Sequence, residues 1–297
     1  MMNSTTAKCA ETARAKVNLA LHVTGKRADG YHELDSLVVF VEAGDRISAT
    51  TADSLSLTIQ GIGAESVPSD ANNSVLAAAH ALLHHAHTNG LDLSCAGADL
   101  VLEKALPVSA GIGGGSADAA ATLRALNRLW GLNLPHKVLE AIGIGLGADV
   151  AVCIAQQSSR MSGIGETLMP LTERHIPSFD IVLVNPGSPV STPQVFQTLQ
   201  NTDQSTLPLL PDQNDHRAWL TWLVGTRNDL FEPACKLCPD IGFVISQLVH
   251  EGAQVARMSG SGATCFGIFD NSQSAAIAAQ ALQRLHPNWW VCPTRTV

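Results

Sequence analysis

The chain has 297 residues, enough for one large or two smaller domains, and is 45% hydrophobic and 15% charged. Its formal net charge of −8 argues against a nucleic-acid surface as the main binding face. The longest apolar stretch, 141–155, is short, glycine-rich and interrupted by Asp149, which excludes it as a membrane span.

The opening MMNSTTAKCAETARAKVN lacks the apolar core of a secretory signal. Cys9, Cys95, Cys153, Cys235, Cys238, Cys265 and Cys292 form no regular disulfide framework, and their odd number fits reduced thiols. A cytoplasmic location is the expectation.

Residues 46–51 and 54–60 alternate apolar and polar, with Leu55, Leu57 and Ile59 on one side, and predict antiparallel strands. Asn72-Asn73-Ser74 then opens a helix. It holds His80, His84, His85 and His87, of which the first two lie one turn apart. With Val75, Leu76, Leu82 and Leu83 supplying core, these histidines read as a solvent face rather than a metal site.

A short apolar run bounded by charges at 98–104 predicts a strand ending at Pro107. The stretch PVSAGIGGGSADAA follows at 107–120, packing Gly111, Gly113, Gly114 and Gly115 into five residues with Ser116 behind them. Residues 119–130 contain no breaker, place Leu123, Leu126, Leu129 and Trp130 on one face, and stop at Gly131, so they predict a helix.

Strand, glycine loop and helix together suggest an anion site. A helix start leaves amide N–H groups without intrahelical partners and carries the positive end of the dipole, and glycines let a phosphate approach them. The pattern is not GxxxxGK[ST], because the lysine is missing, nor the dinucleotide GxGxxG in a βαβ frame. Taken alone, a tight turn without a ligand also stays open.

Periodicity lapses over 154–160, which places a boundary between domains at 1–157 and 158–297. A turn at 162–165, a strand at 180–184 and a long polar, proline-bearing segment at 187–216 come next. Cys235 and Cys238 form a lone CxxC without a second pair, so no metal or redox role is assigned to them. Strand-like 253–258 and 265–269 flank a glycine turn, and 274–285 predicts a helix.

Four stretches in chain order resemble the GHMP kinase superfamily: AKVNLALHVTGKRADGYHELDSLV at 15–38, PVSAGIGGGSADAA, LGADVAVC at 146–153 and MSGSGATCFGIF at 258–269. The resemblance implies an α+β fold of two domains. The first is related to ribosomal protein S5 domain 2 and the second is ferredoxin-like. It also implies ATP and Mg²⁺, with Asp149 as catalytic base and Lys16 as its electrostatic partner.

By the same resemblance, Pro107, Gly111, Gly113, Gly114, Gly115 and Ser116 cradle the phosphates, and Asn73 and Lys104 lie near the adenine. The segments GKRADGYHEL and VNPGSPVSTPQVF, the latter at 184–196, narrow the resemblance to a branch whose small substrate is a cytidine-diphosphate-linked methylerythritol. Asn18, Tyr31, His32, Thr192 and Phe196 then bind that substrate, with Phe196 opposite Tyr31 across the cytosine and His32 reading its edge through backbone groups. Nucleic acid, membrane and obligate protein partners are not implied.

Departures from the family pattern are small: Ala117 stands where serine is frequent, Ala151 where proline is, and Ile112 where leucine is. None removes an acid, a base or a charge.

Overall fold

The computed structural model describes residues 7–70, 72–91, 93, 97–171, 176–212 and 214–297. Cys95 and the first six residues, on which the thiol and signal readings drew, lie outside the described residues.

The chain begins with two long strands, β1 (Lys8–Lys26) and β2 (His32–Ala52), then β3 (Leu55–Gly61), α1 (Ser74–Thr88) and β4 (Gly97–Lys104). Three helices follow, α2 (Gly114–Leu129), α3 (His136–Ile144) and α4 (Ala148–Ala155). Next are β5 (Ser159–Gly163), β6 (Thr167–Pro170), β7 (Asp180–Asn185) and the helices α5 (Thr192–Thr198), α6 (His216–Val224), α7 (Phe231–Leu237) and α8 (Asp240–His250). The chain closes with β8 (Val255–Met258), β9 (Cys265–Phe269), α9 (Ser272–Leu285) and β10 (Trp290–Arg295).

The described residues form two compact units. The first comprises those up to Ala15, Gly44–Val108 and Gly113–Gln156; the second comprises Lys16–Ala43, Ser109–Ile112 and Gln157–Val297. Strands β1 and β2 each give one stretch to each unit.

In the first unit β4 lies between β2 and β3. It runs antiparallel to β2, from Arg46 opposite Glu103 to Ala52 opposite Gly97, and parallel to β3, from Leu55 opposite Ala98 to Gly61 opposite Lys104. The strands predicted at 46–51 and 54–60 are therefore antiparallel in direction but not paired with each other, because β4 separates them. The parallel pairing of β3 with β4 requires a crossover, and α1 supplies it.

Helix α1 starts where Asn73 accepts the Val75 N–H at 2.8 Å, a side-chain cap on an otherwise unpaired donor. Val75, Ala78, Ala79 and Leu82 form its buried face, while His80 and His84 are exposed. Helix α2 packs on it, and the alanine run of α2 is buried together with Leu123 and Leu126. The apolar stretch 141–155 is not continuous, since Gly145 to Gly147 break it between α3 and α4. Among the described residues no helix is long and apolar enough to cross a membrane.

Two expected boundaries move. Strand β4 ends at Lys104, and α2 begins at Gly114, five residues before the predicted start at 119. Glycine's low helix propensity hides that start in the sequence. Gly131 does close the helix, with φ 65° just beyond its last turn.

In the second unit β10, β7, β9 and β8 form a sheet in that order, antiparallel throughout. With α8 between β7 and β8 and α9 between β9 and β10, this is the βαββαβ order of a ferredoxin-like domain. Val182, Val184, Ile241, Val244, Leu282 and Phe269 are in its core. The N-terminal part of β2 pairs with β5, and β5 turns back into β6 through the predicted turn, where Gly163 has φ 70° and Gly165 φ 111°.

The segment 187–216, read as irregular, contains α5, which has Pro193 in its first turn, where a missing N–H costs nothing. Its remainder is tied down. Leu207 donates its N–H to Asp35 at 2.8 Å, Arg160 donates two bonds to the same carboxylate, and Trp222 donates to the Leu209 carbonyl at 2.9 Å.

Candidate active site

The glycine loop begins where β4 ends. In the first unit its exit is fixed by Asp45, whose Oδ1 accepts the N–H groups of Ala105 at 2.6 Å and Leu106 at 2.8 Å. Gly113 then caps α2 with a φ of 69°, a left-handed conformation that a side chain disfavours. Gly114, Gly115 and Ser116 form the first helical turn, so their amides carry the positive end of the helix dipole. Gly115 is exposed and Ser116 half-buried.

Beneath this turn lies a charged cluster. Lys104 Nζ donates to Asp45 Oδ2 in a short ion pair and to Asp118 Oδ2 at 3.0 Å, and all three residues are buried. A Cβ on Gly114 would stand 3.7 Å from Lys104 Nζ and 3.9 Å from Asp45 Oδ2. Asp118 Oδ1 has no hydrogen-bond partner. Burial pushes the Asp118 carboxyl up to about 7, with Lys104 pulling down and Asp45 pushing up. Burial lowers the Lys104 ammonium, but the two carboxylates outweigh it and hold its pKa above the ordinary lysine value.

Asp45 and Asp118 were not singled out in the sequence. Their signal is an acid inside apolar context, at the head of Arg46–Ile47 and within the alanine run of α2. Lys104, expected beside adenine, has its ammonium engaged by these two acids. Asn73, also expected there, is buried and caps α1. Asp149 lies in the first turn of α4, after Gly147, and is half-buried.

In the second unit Lys16 and Asn18 lie on β1, 5% and 2% exposed. Lys16 donates its backbone N–H to the Ile112 carbonyl at 3.0 Å. Asn18 donates its backbone N–H to Ser259 Oγ at 3.1 Å, and its Nδ2 to Ser36 Oγ at 2.8 Å. Gly111 has φ 74°, and a Cβ there would strike the Gly262 carbonyl, so the glycine loop and the 259–264 turn approach backbone to backbone. Thr264 donates its N–H to the Ala110 carbonyl at 3.2 Å across the same contact.

The 259–264 turn is held from several sides. Asn228 Nδ2 donates to the carbonyls of Met258 and Gly260 at 2.8 and 2.9 Å, and Asn185 Nδ2 donates to Thr264 Oγ1 at 3.0 Å. Thr192, the first residue of α5, shares a 2.6 Å hydroxyl contact with Ser261. Asn228 lies in none of the stretches that carry the resemblance, and Asn185 lies in VNPGSPVSTPQVF without a role implied for it there.

The ring placed over Phe196 is that of His32, with centroids 5.0 Å apart and planes 24° from parallel. The expected arrangement put Tyr31 there, yet Tyr31 is 61% exposed, at the end of a turn where its N–H meets Asp29 Oδ1 at 3.1 Å. Adjacent residues at a strand start point to opposite sides, so only one of the pair faces Phe196 in this structure. His32 Nε2 is buried without a partner, and burial together with Lys26 holds the imidazole below the ordinary histidine pKa. Among the described residues no group of three or more His, Cys, Asp or Glu side chains is arranged to hold a metal.

Comparison with known proteins agrees with this architecture. Residues 73–157 match the family described as GHMP kinases N terminal domain, and 210–288 match GHMP kinases C terminal. A 4-diphosphocytidyl-2-C-methyl-D-erythritol kinase of Cereibacter sphaeroides is 48% identical over 285 residues, 95% of this chain and 97% of that protein. One from Mesorhizobium japonicum is 45% identical over 96% of this chain and 95% of that protein. The crystal structure of a 4-(cytidine 5'-diphospho)-2C-methyl-D-erythritol kinase superposes with a TM-score of 0.79 at 32% identity, covering 97% of this chain and 100% of the other. Homoserine kinase from Cytophaga hutchinsonii, at 19% identity and a TM-score of 0.68, shares the fold. With such identity over nearly its whole length, the chain belongs to the GHMP kinases, in the family of the 4-diphosphocytidyl-2-C-methyl-D-erythritol kinases, and is an ATP-dependent kinase.

Proposed function

We propose that the protein transfers the γ-phosphoryl group of ATP to the 2-hydroxyl of 4-diphosphocytidyl-2-C-methyl-D-erythritol, a step of the non-mevalonate route to isoprenoid precursors. The observation that carries this reading is the near-full-length identity to kinases named for that substrate. The functional domains are taken as 1–157 and 158–297.

Phosphoryl transfer to an alcohol needs the triphosphate held, its charge offset and the hydroxyl deprotonated. The amides of Gly113 to Ser116 hold the phosphates at the start of α2, and Gly111 and Pro107 shape the loop. Asn73 and Lys104 support the adenine side through the positions of α1 and β4. Asp149 accepts the hydroxyl proton as the oxygen bonds to phosphorus and ADP departs with the electron pair of the broken P–O bond. The Lys16 ammonium lowers the hydroxyl pKa and keeps Asp149 ionised.

Magnesium fits this donor set as a companion of the triphosphate rather than as a resident of a carboxylate site, with the Ser116 hydroxyl as a protein oxygen for it. When bound, it offsets phosphate charge. Asn18 and Thr192 face the polar part of the substrate, and Tyr31, His32 and Phe196 take the cytosine. The buried, unpartnered His32 Nε2 supports a polar role for that ring as well as for its backbone.

The test is ADP release from ATP and Mg²⁺ with a panel of acceptors. The expected result is turnover with the cytidine-diphosphate-linked methylerythritol and none with homoserine or mevalonate. Turnover with one of the latter alone would refute the substrate assignment.

A further inference from the structure

Two carboxylates and one ammonium are buried together under the first turn of α2, an arrangement that stability alone does not favour. Its connections show what it organises. Asp45 binds the backbone where β4 leaves for the glycine loop, at Ala105 and Leu106. Asp118 stands on α2 one turn beyond Gly114, where the chain returns from that loop. Lys104 bonds to both acids. The parts of the loop's two ends that lie in the first unit are thus fastened to one ammonium.

We propose that Asp118 is a positioning residue for the phosphate site, holding the first turn of α2 through Lys104 and Asp45 so that the amides of Gly113 to Ser116 point where the triphosphate must lie. This inference rests on the kinase reading above. Asp118 touches no reacting atom; it acts through Lys104. The distance from Asp118 to Lys104 Nζ, 3.0 Å, is that of a made hydrogen bond, and Asp118 is itself part of α2, one turn after Gly114, so a shift of this pair carries to the helix start.

The chemistry also specifies which replacement works. Asp118 uses one oxygen as acceptor toward Lys104 and leaves the other unpartnered. An amide supplies the same acceptor and a neutral second arm of the same shape, whereas a methyl group leaves the ammonium with one partner. Asp118→Asn should therefore keep the function, and Asp118→Ala should lose it.

The experiment is steady-state kinetics of wild type, Asp118→Ala and Asp118→Asn, with direct titration of a fluorescent ATP analogue and thermal melting of each. Asp118→Ala is expected to raise KM for ATP and the analogue Kd on the order of tenfold, the worth of one charge-assisted hydrogen bond. At saturating ATP its kcat and its KM for the alcohol substrate should stay within about threefold, a margin well below that tenfold effect. Asp118→Asn should bind nucleotide within about threefold of wild type, because the acceptor toward Lys104 is retained. Should Asp118→Ala not fold, Asp118→Ser removes the reach to Lys104 and is read for the same split. Unchanged nucleotide binding in a folded variant without that bond would overturn the proposal, as would an equal loss in all constants. A wild type that binds no ATP analogue would instead refute the kinase reading itself.

Discussion

His32 lies stacked on Phe196, with ring centroids 5.0 Å apart, and this is the pair of rings proposed to take the cytosine. Burial and Lys26 keep the imidazole on the neutral side of its ordinary range, and the stack is one of uncharged rings at neutral pH. Losing one stacking partner costs roughly 1 to 3 kcal/mol, or about ten- to a hundredfold in affinity. Phe196→Ala should weaken binding of a cytidine diphosphate fragment by that amount and leave ATP affinity unchanged. A uridine fragment should bind worse than cytidine to the wild type, because exchanging an amino donor for a carbonyl leaves an acceptor against an acceptor. Competition titration reads both, and equal affinities for the two bases would remove the stacked-cytosine model.

Asp149→Asn keeps the shape of the first turn of α4 and removes the proposed proton acceptor. Turnover should fall on the order of 10²- to 10⁴-fold with both Michaelis constants nearly intact. Single-turnover rates with saturating substrates check this, and near-normal rates would exclude Asp149 as the base.

The glycines of the loop divide by physical role. Gly113 has φ 69°, so Gly113→Ala should cost roughly 1 to 2 kcal/mol of stability from backbone strain. Gly114 is in helical conformation, and an added Cβ would meet ordinary contacts. Gly114→Ala should melt at or above the wild-type temperature with KM for ATP little changed, since its methyl points toward Lys104 and Asp45 rather than outward from the helix start. Paired melting curves and ATP titrations test the contrast; a large drop in melting temperature for Gly114→Ala would contradict it.

The Asp118 carboxyl is raised to about 7 by burial, with Asp45 adding to the shift and Lys104 opposing it. Its folded pKa thus exceeds its unfolded value, so the folded protein holds this proton more tightly than the unfolded chain. The associated stability is full below pH ~4 and is lost as pH rises through about 7. Denaturant melts of wild type and Asp118→Asn across that window should show the wild type losing ground steadily, by on the order of a few kcal/mol in total. A difference independent of pH would mean that Asp118 does not titrate there.

Much of this was legible because glycine and breaker patterns report backbone needs directly. The strand, the loop and the helix ending at Gly131 follow from local chemistry. The helix start was not, because Gly114 and Gly115 hide it, nor was the pairing of β3 with β4, which is fixed only after α1 crosses over. Helix α5 was masked by its own Pro193 and polar flanks. The resemblance gave Lys104 a place near the adenine, but its partners Asp45 and Asp118 are 59 and 14 residues away, and no local pattern announces a cluster of that kind. The resemblance supplied roles for Lys16 and Asp149 that spacing alone leaves as an edge-strand charge and a helix-start acid.

The most direct measurement is phosphorus NMR of the product formed from ATP, Mg²⁺ and 4-diphosphocytidyl-2-C-methyl-D-erythritol. A new phosphomonoester resonance, coupled to the position of the 2-hydroxyl and appearing with ADP while the substrate diphosphate stays intact, is the expected result. Loss of the substrate's diphosphate signals, or release of inorganic phosphate without a new monoester, would contradict phosphoryl transfer to that alcohol.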